Sequence, residues 1–374
     1  MFIRAFGTRS PSILHRTRPL TRYITTKQAM ETIKSTIAEN FGGPAYSLAK
    51  PEHQFSLSET PDQSGKVAVV TGGSEGIGYG ASFTLLQKNL AKIFLISVSR
   101  ETADGAIADV REKLGDETAN KITWLPCDLS DWKAAAATSQ KIRDQTDRLD
   151  ILILNAGRGI MTYQLTEDTG VDRHMALNHM GHVVLTSHLL PLLKSTAASP
   201  STTVRIAIQA SNAHQGAPSD TKFAALAELN RDLGANPQYG RSKLANILYA
   251  RYLARHLTAS HPNILANATH PGFVETKMST QDIHEPFPVS GAAMSTLMNP
   301  FKKDQWMGAV SIVFAATKVT ESGLYICPPA VPEEGSKMAQ DEELGEQLMR
   351  LTRELVMEKT FKDSKEKGCP FEFY

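Results

Sequence analysis

The chain has 374 residues, 41% of them hydrophobic, enough for one large domain or two modest ones with a buried core. Its 40 basic and 39 acidic residues leave a net charge of +1, which gives no electrostatic footprint for nucleic acid or an anionic membrane surface. Cys127, Cys327 and Cys369 are too few and too scattered for a disulfide framework or a thiolate metal site, and they suit a reducing compartment.

The first 25 residues differ from the rest: Arg4, Arg9, Arg16, Arg18 and Arg22 alternate with Ser, Thr and apolar residues, and no acid occurs before Glu31. This is the composition of a mitochondrial transit peptide over residues 1–25, which implies a mitochondrial, matrix-side location. A disordered basic arm is the alternative, because Pro11 and Pro19 interrupt any continuous helix. Residues 26–64 read as an N-terminal helix and linker. Met30, Ile33, Ile37 and Phe41 fall at helical spacing, Gly42, Gly43 and Pro44 end the helix, and 45–64 is expected to be a surface connection.

From Gly65 onward, apolar runs of strand length alternate with helical patterns. "KVAVVTG", "IFLISVS", "ITWLPCD", "LDILILNAG", "TVRIAIQAS" and "NILANATHPG" are the strands. Unbroken apolar strands separated by helices predict a single α/β domain over residues 65–330, doubly wound, its parallel sheet covered by helices on both faces. No stretch reaches the roughly 18 apolar residues that cross a bilayer. The best candidate, Trp306 to Ala316, reads as a core helix, and peripheral membrane contact stays open. In the C-terminal extension, 331–374, Leu344, Leu348, Leu351 and Leu355 predict an amphipathic helix followed by a charged tail.

"TGGSEGIG", Thr71 to Gly78, follows the first strand. A glycine-rich turn between strand and helix lets the backbone approach a pyrophosphate, with the helix N-terminus facing its charge. The spacing Gly72-x3-Gly76-x-Gly78 is one residue longer between the first two glycines than G-x-G-x-x-G, and taken alone it also fits a plain connection. With "NAG" at Asn155 to Gly157, Ser211 after a later strand, "YGRSK" at Tyr239 to Lys243 and "HPGFVET" at His270 to Thr276, the chain resembles the short-chain dehydrogenase/reductase family over about residues 65 to 330, in its retinol-dehydrogenase-like branch.

That resemblance implies a Rossmann-type fold and an oxidoreductase moving hydride between nicotinamide and a carbonyl or alcohol carbon. Tyr239 would be the acid-base residue. Lys243 lies one helical turn on, favouring ionisation of the phenol and holding the nicotinamide ribose. Ser211 would bind the substrate oxygen, and Asn178 would support the lysine through a water. Ala210 occupies the place where relatives often carry a second serine.

For the cofactor, the resemblance nominates Thr71, Gly72, Ser74, Gly76, Ile77 and Gly78 in the turn, and Arg100, Asp128, Leu129, Asn155, Ala156 and Gly157 toward the adenosine. It adds Tyr239 and Lys243, with Pro271, Gly272, Val274 and Thr276 beyond the sixth strand. "SVSR" after the second strand has Ser99 where an acid would select NAD and Arg100 after it, so NADP(H) is preferred and NAD(H) stays open. Glu75 in the glycine loop weighs against that preference.

His179 and His182 are read as packing residues, with no metal site. The segment before Trp306, with Met294, Leu297, Met298 and Phe301, suits an apolar substrate or plain core packing in equal measure. Substrate identity, reaction direction and homo-oligomerisation stay open. The rival class is an idle dinucleotide-binding sensor or scaffold; loss of any of Asn178, Ser211, Tyr239 or Lys243 would favour it, and all four are present.

Overall fold

The computed structural model describes residues 34, 37, 47–272, 274 and 304–366, with side chains up to 358. The expected transit peptide, most of the N-terminal helix, Thr276, the Met294 to Phe301 stripe and the charged tail lie outside the described residues.

Six parallel strands follow the apolar runs: β1 (Val67–Thr71), β2 (Lys92–Ser97), β3 (Ile122–Pro126), β4 (Ile151–Leu154), β5 (Val204–Gln209) and β6 (Ile264–Thr269). β7 (Tyr325–Cys327) adds parallel to β6 and β8 (Val331–Glu333) antiparallel to β7, giving the order β3-β2-β1-β4-β5-β6-β7-β8. Every residue of β1 and β4 is buried, because the pleat sends alternate side chains into two separate cores. Val67, Val69, Leu152 and Leu154 join one core; Ala68, Val70, Ile151 and Ile153 join the other.

The first core is closed by α3 (Trp132–Arg143), α4 (His182–Ala197), α5 (Ala235–Leu253) and the C-terminal α7 (Glu342–Glu366). The second is closed by α1 (Gly76–Gln87), α2 (Arg100–Leu114) and α6 (Gln305–Thr317). A Cβ at Gly80 would lie 2.7 Å from the Gln305 carbonyl oxygen, so glycine lets α1 and α6 touch backbone to backbone. The strand order reverses between β1 and β4, which opens a crevice at their carboxyl ends, where sheets of this type bind ligands.

Two stretches outside 65–330 are more integral than the sequence suggests. Phe55 is buried in the second core, its ring 5.3 Å from that of Phe314 on α6, so 45–64 is not merely a surface connection. β8 extends the sheet beyond residue 330, and Leu348, Leu351 and Leu355 of α7 are buried in the first core. The apolar stripe read from the sequence therefore packs on the sheet's helical layer, with Leu344 partly buried beside it.

Candidate active site

The glycine turn has the geometry its spacing suggested. Gly72 (φ +62°) and Gly76 (φ +55°) adopt left-handed conformations that side chains disfavour. Gly78 admits no side chain either, since a Cβ there would lie 2.1 Å from the Gly72 carbonyl oxygen. α1 starts after Glu75, whose side chain makes no cap, and the first amides of a helix are the donors that bind an anion. Ser74 shares a 3.1 Å hydrogen bond with Thr102, and Ile77 packs toward Gly308 of α6. These features suit the pyrophosphate of a dinucleotide.

Thr71 ties the turn to the loop after β4. Its Oγ1 accepts from the amides of Asn155 (2.8 Å) and Ala156 (3.0 Å), while Asn155 Nδ2 donates to the Thr71 carbonyl at 3.1 Å. At the other end of the crevice, Ser99 caps α2 by accepting from the Thr102 amide. Arg100, the first residue of that helix, stacks its guanidinium 4.7 Å above the Trp124 ring, whose Nε1 donates to Ser97 Oγ at 3.0 Å. Asp128 accepts from the amide and hydroxyl of Ser130 and meets Arg173 at 3.4 Å. Leu129 is buried in the first core, its carbonyl oxygen 2.1 Å from where a Cβ on Gly181 would fall.

Asn178 lies in a π-helical stretch, Ala176–Gly181, preceding α4; such bulges recur at functional sites. Its Oδ1 accepts from the Arg158 amide (2.6 Å), and its Nδ2 donates to the Arg158 carbonyl (3.0 Å) and to Ser242 Oγ (2.9 Å). The side chain thus staples the loop after β4 to α5. A methyl group on Gly157 would sit 3.4 Å from Asn178 Oδ1 and 3.5 Å from Lys243 Nζ, so these residues border one gap.

Tyr239 and Lys243 stand on α5 as the four-residue spacing requires, with Nζ 5.5 Å from the ring centroid. Lys243 donates to the Gln209 carbonyl at 3.1 Å. Burial pushes the Tyr239 phenol up to about 12, partly offset by its hydrogen bond to Ser211, and pushes Lys243 down to about 8. Burial thus acts against the phenolate that the lysine is expected to favour, and the Lys243 ammonium bonds to backbone. Ser211 caps a short 3-10 turn, Asn212–Gly216, and His214 Nδ1 bonds its carbonyl at 2.8 Å. Pro271 and Gly272 (φ +78°) follow β6, and Val274 packs where a Cβ on Gly308 would fall.

The histidines that read as packing residues diverge. His179 Nε2 meets Thr352 Oγ1 of α7 at 3.0 Å, whereas His182 Nε2 meets Thr71 Oγ1 at 2.9 Å. Sequence reasoning missed His182, His214, Ser242 and the Gln209 carbonyl as parts of this site. The four-residue spacing from Asn178 to His182 was the available signal for the first.

A mostly parallel sheet whose switch point carries a glycine-rich turn at a helix N-terminus is a Rossmann-type architecture suited to a dinucleotide. The short chain dehydrogenase profile matches residues 66–227. A Neurospora crassa protein, bli-4, whose name carries a provisional assignment as a mitochondrial oxidoreductase, is 54% identical over 356 residues, 94% of this chain and 86% of its own. Mouse retinol dehydrogenase 14 is 30% identical over 331 residues, 85% of this chain and 92% of its own. The Pseudomonas aeruginosa RhlG/NADP active-site complex superposes with a TM-score of 0.53 at 25% identity, covering 71% of this chain and 95% of that one. The chain belongs to the short-chain dehydrogenase/reductase family.

Proposed function

We propose that the chain is an NADP(H)-preferring enzyme that interconverts an apolar carbonyl compound and its alcohol, using Asn178, Ser211, Tyr239 and Lys243. The observation that carries this reading is the gap beside Gly157 that Asn178 and Lys243 border, with the Lys243 ammonium 5.5 Å from the centroid of the Tyr239 ring. The nicotinamide, when bound, supplies the hydride chemistry. With its phenol pushed up to about 12, Tyr239 is protonated at neutral pH and gives its proton to the carbonyl oxygen during reduction. Ser211 holds that oxygen and stabilises its developing charge. Lys243, largely charged at pH 7, holds the ribose, and Asn178 keeps the Gly157 loop against α5.

Thr71, Gly72, Ser74, Gly76, Ile77 and Gly78 would receive the pyrophosphate end, and Asp128, Leu129, Asn155, Ala156 and Gly157 the adenosine side. Pro271, Gly272, Val274 and Thr276 would receive the carboxamide end. The NADP preference rests on Arg100 beside the crevice and on the absence of an acid at Ser97, Val98 or Ser99. The NADP-bound neighbour agrees with it. An apolar substrate accords with the name of retinol dehydrogenase 14, and a mitochondrial location accords with the name of the Neurospora relative; within the organelle, the matrix after loss of residues 1–25 is our reading of the basic N-terminal composition. Residues 65–330 would form the catalytic unit, completed by 331–374, and a homo-oligomer is compatible with this arrangement.

The test is turnover by protein lacking residues 1–25, with NADPH and NADH offered separately against aldehydes, ketones and quinones. Consumption that prefers NADPH and disappears in Tyr239→Phe is expected. Full activity in Tyr239→Phe would overturn the proton-donor assignment. Cofactor binding with no turnover in either direction would favour the sensor reading.

A further inference from the structure

The His182 ring is 1% exposed and both of its nitrogens are engaged. Nδ1 lies 3.1 Å from the Asn178 carbonyl oxygen, which can only accept, so Nδ1 carries the proton. Nε2 is then a lone pair, 2.9 Å from Thr71 Oγ1, and Thr71 must donate to it. Thr71 Oγ1 already accepts from the Asn155 and Ala156 amides, so its one proton has His182 as its near partner; the Ile153 carbonyl is farther, at 3.4 Å. Each donor and acceptor in the chain Asn178, His182, Thr71, Asn155 and Ala156 is assigned without conflict, and the ring is neutral throughout. Burial enforces that state, pushing His182 down to about 4.

We infer that His182 is a positioning residue that couples the π-helical turn carrying Asn178 to the end of β1 and the loop after β4. A phenylalanine could fill the same volume, so packing alone does not explain two directed hydrogen bonds from a buried ring. The ring sets the height of Asn178 relative to Gly157 and Lys243, and through Thr71 it sets the loop that would receive the adenosine. The inference rests on the proposed role of Asn178, but its cofactor half does not require turnover.

The two bonds can be cut separately. Asparagine places its amide where Nδ1 stands and keeps the bond to the Asn178 carbonyl; glutamine reaches the position of Nε2 and keeps the bond to Thr71. The measurements are the dinucleotide Kd by fluorescence titration, with NADPH and NADH as probes, and kcat at saturating cofactor. His182→Asn is expected to raise Kd roughly tenfold, more than it lowers kcat, and His182→Gln to lower kcat roughly tenfold, more than it raises Kd. His182→Phe should do both. Thr71→Val should weaken binding, and adding His182→Asn should weaken it little further, because both cut the same bond. Equal effects of the asparagine and glutamine variants on the two parameters, or fully additive losses with Thr71→Val, would overturn the inference. If His182→Phe does not fold, the two single-bond variants decide. Should Tyr239→Phe remain active, the proton-donor reading fails while the Kd comparison still judges His182.

Discussion

Lys243 donates to the Gln209 carbonyl at 3.1 Å, its Nζ standing 5.5 Å from the centre of the Tyr239 ring. The ammonium is held by the sheet's backbone, and burial lowers it to about 8 while raising the phenol to about 12. The expected profile of kcat/KM for the dinucleotide in reduction is level below about pH 8 and declines above it as Lys243 loses its charge. Tyr239 stays protonated across that range. A profile limited instead by a group titrating near pH 6 would contradict this assignment.

The buried ammonium also burdens the fold. A lysine whose folded pKa lies below its ordinary 10.5, at about 8, costs stability in full below about pH 8, and the cost is relieved as pH rises toward 10.5. The difference corresponds to about 3 kcal/mol for this nearly unexposed side chain. Lys243→Met should therefore be more stable than the parent at pH 7 in urea unfolding, with the gain shrinking between pH 8 and 10.5, while turnover is lost.

Gly78→Ala should weaken dinucleotide binding roughly ten- to hundredfold, because the new methyl meets backbone that cannot swing aside. Gly105→Ala is the control. It lies within α2 with nothing near the added Cβ, and it should stabilise the protein by roughly 0.5–1 kcal/mol with binding unchanged. Isothermal titration and thermal unfolding on both variants make the comparison.

Arg100→Ala should raise the NADPH Kd roughly tenfold or more and leave that for NADH nearly unaltered, as expected for a charge-assisted bond to a 2′-phosphate. Trp124→Leu should move the same ratio by less, since it removes only the ring on which the guanidinium lies. An Arg100→Ala protein with the parent's NADPH affinity would remove the basis for an NADP preference.

Much of the fold was legible because its signals are local. Apolar runs marked β1 to β6, and the leucine spacing marked α7, since period and burial are tied to the pleat and the helical turn. The 45–64 segment was misread because its few apolar residues carry no period, yet Phe55 packs against Phe314 with Leu57 beside it on the second core. His182 was read as packing because no third metal ligand accompanies it and His179 in the sequence, and its partner Thr71 lies 111 residues away.

By itself, then, the sequence determined the alternation of strands and helices, the left-handed glycine turn and the four-residue registration of Tyr239 with Lys243. Each is set by backbone sterics and repeat geometry within a few residues. Tertiary structure decided what surrounds them: the Gln209 carbonyl that holds Lys243, the coupling of Asn178 through His182 to Thr71, and the upward shift of the Tyr239 phenol. Those depend on which groups are brought together and stripped of water, and desolvation is a property of the packed whole.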